Sequence, residues 1–297
     1  MINYIKINNN VKGLLLMFAG QLFFAINDII VKYTVKLSNN DYSTLNIIFI
    51  RGIFTSLLIF FIILIFTKTE IKKIFSDKRT YLRGLFEALT ALFFFAGLIL
   101  MPVSIVYTLL MTAPLIVTLY ASLFTNEKVG LRRWSAVIIG FIGVLIVINP
   151  INTEIGIVFL LPIIAAIFLT LRDVVTKGFV NKNNFLEITL ITALMVMVGS
   201  GIFSMFIEID INLAYLKYIF ISSLFLTLGY VCSVLTIFYA PLSLTAASRY
   251  SVIVFGIIFG FLILGEVPNK NMVYGALIIS ISGLFVIKRQ KDLGKIK

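Results

Sequence analysis

Ten apolar stretches fill this chain and leave only short polar connections between them, at about 13–35, 43–66, 81–100, 104–124, 133–149, 155–176, 185–207, 216–238, 244–264 and 272–288. A spanning helix needs roughly 17–25 apolar residues, because it rises 1.5 Å per residue through a hydrocarbon core about 30 Å thick. In lipid every backbone N–H and C=O must be bonded internally, so runs of this length fold as helices. The expected fold class is therefore all-α integral membrane, with ten transmembrane helices and the lipid bilayer as the surrounding partner. Composition agrees: 60% of the 297 residues are hydrophobic, 13% are charged, and the mean hydropathy is +1.08. Soluble domains are about 45–50% apolar and about a quarter charged.

The formal charge of +12 does not point to nucleic acid. The basic residues lie in short loops and tails, where they report topology. Lys6 and Lys12, Lys68 to Arg79, Lys128 to Arg133, Lys177 and Lys182, and Lys288 to Lys297 all fall on one side. The other side holds Lys32, Lys36, Lys217 and Lys270, offset by Asp41, Glu154, Glu208, Asp210 and Glu266. Both termini are thus expected in the cytoplasm, as an even helix count requires. Cys232 is the single cysteine, so no disulfide forms within one chain. Histidine is absent, which removes the commonest metal ligand, and neither a metal nor a cofactor is expected. The first apolar run contains Asp28 and lacks a small-x-small cleavage site, so it reads as a spanning helix rather than a leader.

The chain repeats itself. Asn27-Asp28 through Lys32 returns as Arg172-Asp173 through Lys177, 145 positions on. Pro102-Val103-Ser104 returns as Pro241-Leu242-Ser243, 139 positions on. Each of those serines precedes a glutamate by 23 residues, Glu127 or Glu266. Ala136, Gly140 and Gly143 match Ala276, Ser280 and Gly283. Two halves, 1–150 and 151–297, follow from this register. Five helices per half is an odd number, so the second half enters the membrane upside down, a construction that places a binding site near the midplane. The small-x-x-x-small faces of helices five and ten are suited to joining the halves or to a homodimer seam.

Six ionisable groups fall within spans: Asp28, Arg51, Glu87, Arg172, Asp173 and Arg249. Each costs roughly 2.5–3.5 kcal/mol at a helix centre even on the lenient insertion scale, so they must pair or face water or solute. Arg249, with Ser248 and Tyr250 beside it, is the first choice for binding a solute, followed by Glu87 and Arg51. Arg172, near a span end, reads as a weaker candidate. Lys32 and Lys177 lie four residues after Asp28 and Asp173, on the same helix faces. These two pairs, expected at opposite mouths, are read as gating or coupling groups or as helix-end ion pairs. Glu127 and Glu266 are expected to accept backbone or tyrosine hydrogen bonds at the membrane surface. Phe93, Phe94 and Phe95 are read as packing residues.

On these residues the chain resembles the EamA-type, ten-helix members of the drug/metabolite transporter superfamily. The likeness rests on the two five-helix repeats, the Pro-x-Ser starts, and the endings Asn126-Glu127 and Gly265-Glu266. The strings Ala25-Ile26-Asn27-Asp28 through Lys32-Tyr33, Phe49-Ile50-Arg51, Leu82-Arg83-Gly84 and Arg249-Tyr250 are most similar to S-adenosylmethionine uptake members, then to riboflavin-type members. Glu87 and Ala247-Ser248 depart from the pattern of those members. The resemblance implies alternating-access transport of a small organic metabolite, S-adenosylmethionine-like, amino-acid-like or vitamin-like, across a bacterial cytoplasmic membrane. Export of metabolites or drugs is the alternative within the family. A channel or a membrane-embedded enzyme competes poorly, given short loops and no histidine.

Overall fold

In a computed structural model the described residues are 9–39, 43–67, 75–113, 115–116, 131–148, 156–180, 185–205, 213–240 and 248–292. They form ten α-helices: α1 (Asn9–Leu37), α2 (Thr44–Phe66), α3 (Lys78–Leu100), α4 (Val103–Leu110), α5 (Leu131–Ile148), α6 (Leu160–Lys177), α7 (Phe185–Ser204), α8 (Leu213–Tyr239), α9 (Ser251–Phe259) and α10 (Lys270–Asp292). A short 3₁₀ turn, Ile157–Phe159, leads into α6, and a π turn, Gly260–Leu264, ends α9. Six of these are long and apolar enough to cross a membrane: α1, α2, α3, α6 with its 3₁₀ turn, α7 and α8. Large exposed side chains such as Phe61, Ile65, Ile142, Leu145, Leu277 and Ile281 are apolar, as a surface against lipid tails requires. The molecule is a multi-pass membrane protein. Residues 117–124 of the fourth expected span and 244–247 of the ninth lie outside the described residues, as do Glu127 and Pro241-Leu242-Ser243.

Helix pairing positions everything else. α1 packs on α8 and α3 on α6; α2 meets α7, α4 meets α9, and α5 meets α10. Helix direction follows from end contacts. Near the C-terminal end of α1, Lys32 donates to Met101 O at 2.6 Å, just beyond α3, and Lys36 to Leu264 O at 2.9 Å. Near its start, Gly13 lies against Ala240 at the end of α8. Lys177, which ends α6, donates to Ile237 O of that same stretch at 3.0 Å. The C-terminal end of α6 thus lies beside the start of α1, and the two helices run in opposite directions.

The α5–α10 seam depends on glycine. A Cβ built on Gly275 would collide with Val147 Cγ2 and lie 2.7 Å from the Gly143 carbonyl oxygen, closer than real Cβ atoms come. Helices five and ten therefore meet each other within one chain at Gly143 and Gly275, whereas Gly140 of the expected small-residue face lies against Leu115. Backbone cannot step aside cheaply, so Gly275→Leu is expected to cost about 1–3 kcal/mol by overpacking. Thermal unfolding in detergent reads this as a lowered midpoint, against an unchanged one for Leu277→Met, whose side chain is exposed.

Two local devices fix helix ends. Asp77 caps α3, accepting from Arg79 N and Arg79 Nε, each at 3.0 Å. The Arg79 guanidinium beside it holds the Asp77 carboxyl below its ordinary range. At the other end, Gly265 adopts φ 72°, which lets the chain turn sharply after the π turn. Glu266 then folds back and accepts from Val103 N, the first amide of α4, at 2.7 Å. A carboxylate there satisfies an otherwise unpaired helix-start amide. This is the backbone contact expected of Glu266.

Candidate functional site: a charged cavity between the helices

Near the centre of the molecule a cavity of about 100 Å³ is walled by α1, α2, α3, α4, α6, α8 and the turn before α9. Its polar lining includes Asp28, Arg51, Glu87, Tyr107, Arg172 and Arg249. The apolar part includes Phe24, Phe94, Phe95, Leu169 and Val252. All six expected intramembrane charges are buried; five of them line this space, and Asp173 stands behind it against Arg172 and Arg249.

They divide into two clusters. In the first, Arg172 holds two carboxylates: Nη1 donates to Glu87 Oε2 at 2.5 Å, and Nη2 and Nε donate to Asp173 Oδ1 at 2.7 and 2.9 Å. Arg249 Nη2 closes on Asp173 Oδ2 at 2.5 Å. Burial strips these charges of water, and pairing with aligned hydrogen bonds is what makes the cluster tenable. In the second, Asp28 has only neutral partners among the described residues. Tyr107 donates its hydroxyl to Oδ2 and Asn27 its amide to Oδ1, each at 2.8 Å. Arg51 Nη1 donates to Asn27 Oδ1 at 3.0 Å, and its guanidinium lies 4.7 Å from the Phe95 ring centroid. The Arg51 Nε has no hydrogen-bond partner.

The two repeated dipeptides act alike locally. In each, the residue before the aspartate donates to its Oδ1, Asn27 in one case and Arg172 in the other. Their surroundings differ: two guanidiniums saturate Asp173, while no cation touches Asp28 among the described residues.

Several expectations change. Asp28 and Asp173 do not pair with Lys32 and Lys177, nor do they sit at opposite mouths. Both turn toward the polar centre, where rigid donors already surround them. The lysines, with longer stems, reach the helix ends instead. Lys32 pairs with Glu266 at 2.6 Å as well as with Met101 O, and Lys177 binds Ile237 O. Each lysine thus ties carbonyls at the end of a neighbouring helix, α3 or α8. Arg51 and Glu87 line the same cavity. Arg172 is central rather than peripheral. Phe94 and Phe95 line the cavity, whereas Phe93 packs on Phe168 at 5.9 Å. Tyr250 joins the apolar core with its hydroxyl unpartnered. Ser248 is not among the lining residues, and its carbonyl accepts from Ser251.

Arg83 carries no role in the sequence reading. It is fully buried, donating Nε to Thr176 Oγ1 at 3.0 Å and Nη1 to Thr192 Oγ1, with Nη2 unpartnered. Its position near the start of a span reads as interfacial. The available signal was Glu87 four residues later on the same face of α3. Asn27, Tyr107 and Tyr230 were likewise missed as cavity residues, because neutral side chains in apolar runs carry no charge signal.

A bundle of apolar helices around a small, buried, charged cavity is the architecture of a membrane transporter. The profile of the EamA-like transporter family matches residues 11–149 and 155–288, and the chain belongs to that family. Among curated relatives, an S-adenosylmethionine uptake transporter from Rickettsia prowazekii (strain Madrid E) is 27% identical over 272 residues, 90% of this chain and 89% of that protein. The S-adenosylmethionine uptake transporter from Rickettsia bellii (strain RML369-C) is 27% identical over 274 residues, 89% of each chain. A riboflavin transporter from Vibrio cholerae serotype O1 is 45% identical over 60 residues, 20% of each chain. A solved crystal structure aligns with a TM-score of 0.66 at 11% identity, covering 95% of this chain and 99% of its own, and shows a shared fold.

Proposed function

We propose that this chain is a secondary transporter that moves a small polar organic metabolite across a bacterial cytoplasmic membrane by alternating access. The observation that carries this reading is the set of two carboxylates and three guanidiniums that line one cavity, with the Asp173 carboxylate paired to two of those guanidiniums behind it. A solute carrying both signs of charge finds partners for each there. An S-adenosylmethionine-like solute is favoured, since those relatives align along about nine-tenths of the chain; amino-acid-like solutes share its zwitterionic chemistry, and vitamin-like solutes are the alternative.

The transporter has ten crossing helices in two inverted five-helix repeats, 1–150 and 151–297, with both termini cytoplasmic. Two observations support the inversion. Exchanging each helix of the first half for its counterpart turns the α1–α8 contact into α6–α3, and leaves α2–α7, α4–α9 and α5–α10 as they are. The opposed directions of α1 and α6 agree. Lys32 with Glu266 closes one mouth and Lys177 with Ile237 O the other. Solute enters from whichever mouth is open, and closing that mouth precedes opening the second.

Uptake into proteoliposomes, screened with metabolites of differing charge, tests the assignment. Arg249→Ala and Glu87→Gln each remove a charge from the paired cluster and are expected to lower uptake at least ~10-fold. Wild-type rates in both variants would remove the cavity from the mechanism.

A further inference from the structure

We infer that the gap between Asp28 and Arg51 is the subsite for an α-amino carboxylate group of the transported solute, and that the Asn27 side chain occupies it when no solute is bound. The inference rests on the transporter reading and adds to it a recognition chemistry.

The two ends of the subsite are the charged groups of the cavity that lack an opposite charge in contact. Arg172 and Arg249 are committed to Glu87 and Asp173. Asp28 touches no cation and Arg51 no carboxylate among the described residues, although both line the cavity. Arg51 lines the cavity, is 1% exposed, and has a buried Nε with no hydrogen-bond partner among the described residues. An uncompensated guanidinium at that depth is costly, and an incoming carboxylate offsets that cost.

Asn27 bridges the two. Its amide nitrogen donates to Asp28 Oδ1 at 2.8 Å, and its carbonyl oxygen accepts from Arg51 Nη1 at 3.0 Å. Only this orientation of the amide satisfies both neighbours, since a carboxylate can only accept and a guanidinium can only donate. The amide thereby places a donor where an ammonium would sit and an acceptor where a carboxylate would sit. Two hydrogen bonds and the amide between them reach at most ~8 Å, comparable to the greatest reach of an ammonium and a carboxylate on one carbon with one hydrogen bond at each end. Exchanging the amide for the zwitterion replaces two neutral-to-charged hydrogen bonds with two fully charged ones, which are the stronger kind. A solute carboxylate can also engage the free Arg51 Nε side-on, as Asp173 engages Arg172 through Nε and Nη2. Tyr107, on the other oxygen of Asp28, and Phe95, under Arg51, hold the two ends in place. The remainder of the solute extends toward Phe24, Phe94 and Leu169.

Competition against labelled S-adenosylmethionine, and against a labelled amino-acid panel, in proteoliposomes containing the full chain tests the subsite. The unlabelled probes are S-adenosylmethionine, its decarboxylated form, which lacks only the carboxylate, and 5′-methylthioadenosine, which lacks the whole amino-acid portion. In the wild type, loss of the carboxylate is expected to weaken competition at least ~100-fold, because it leaves a buried cation unpaired. Arg51→Gln is expected to collapse that ratio to below ~5-fold. Arg249→Ala is expected to lower rates while leaving the ratio intact. Competition by the decarboxylated form equal to that of S-adenosylmethionine in the wild type would overturn the subsite without touching the transporter reading. So would an unchanged ratio in Arg51→Gln, or a ratio that collapses only in Arg249→Ala. If Arg51→Gln does not fold, the wild-type ratio and the milder Arg51→Lys, expected to keep part of it, carry the test. Transport of riboflavin with no movement of any amino-acid-bearing solute would also overturn it, whereas failure of every solute to move would defeat the transporter reading itself.

Discussion

Replacing Asp173 by alanine is expected to lower the unfolding free energy by about 3–5 kcal/mol, the cost of breaking a buried ion pair by removing one partner. Asp173 accepts from Arg172 at 2.7 and 2.9 Å and from Arg249 at 2.5 Å, and all three residues are buried. Without it Arg172 keeps only Glu87, and Arg249 loses the carboxylate that compensates it. Asp173→Asn keeps the shape and one acceptor oxygen, so its cost is expected to be smaller. Thermal unfolding of purified protein in detergent measures both, with the order alanine below asparagine below wild type. A midpoint for Asp173→Ala equal to that of wild type would contradict the network as the support of the cavity wall.

Arg83→Met is expected to act in the opposite direction, leaving stability unchanged or raising it by about 1–4 kcal/mol. Arg83 is a fully buried cation with no carboxylate in contact among the described residues. Its acceptors do not depend on it. Thr176 Oγ1 already donates to Arg172 O and Thr192 Oγ1 to Ile188 O, each at 2.6 Å. Methionine is unbranched and fills a similar volume with no charge to desolvate. The same unfolding experiment reads the result. A drop comparable to that of Asp173→Ala would show that Arg83 is held by partners stronger than two hydroxyls. The two substitutions separate charges that the fold needs from a charge it tolerates, and a tolerated buried charge is one retained for function.

The helices were legible in the sequence because lipid leaves the backbone one solution, and run length alone then sets their positions. The proposal of two halves came from the offset that Asp28 and Asp173 share with their neighbours. What the sequence did not reveal was the inward convergence of those aspartates. An acid and a base four residues apart share a helix face whether or not they bond each other, so the lysine neighbours suggested pairs that the bundle does not form. Competition settles it: Tyr107 and Arg249 come from helices distant in sequence, and nothing local records their approach. Arg172 was undervalued for a related reason. Its closeness to a span end says nothing of the depth to which α3 carries Glu87 toward it. Asn27 was invisible as a site residue because its role depends on having an acid on one side and a guanidinium on the other.

Relocating the solute-binding emphasis from Arg249 to Arg51 follows from that geometry. Arg249 is committed to Asp173, whereas Arg51 offers an unpartnered donor at the cavity. The paired cluster supports the wall, and the Asp28–Arg51 side of the same cavity receives the solute.

Counterflow in proteoliposomes tests the central claim most directly. Vesicles preloaded with unlabelled S-adenosylmethionine are diluted into a trace of the labelled compound. A carrier that alternates access accumulates label transiently above its equilibrium level, saturably, and loses that overshoot when Glu87→Gln replaces the wild-type protein. Label that enters without overshoot and without saturation, at the same rate in the wild type and in Glu87→Gln, would contradict it.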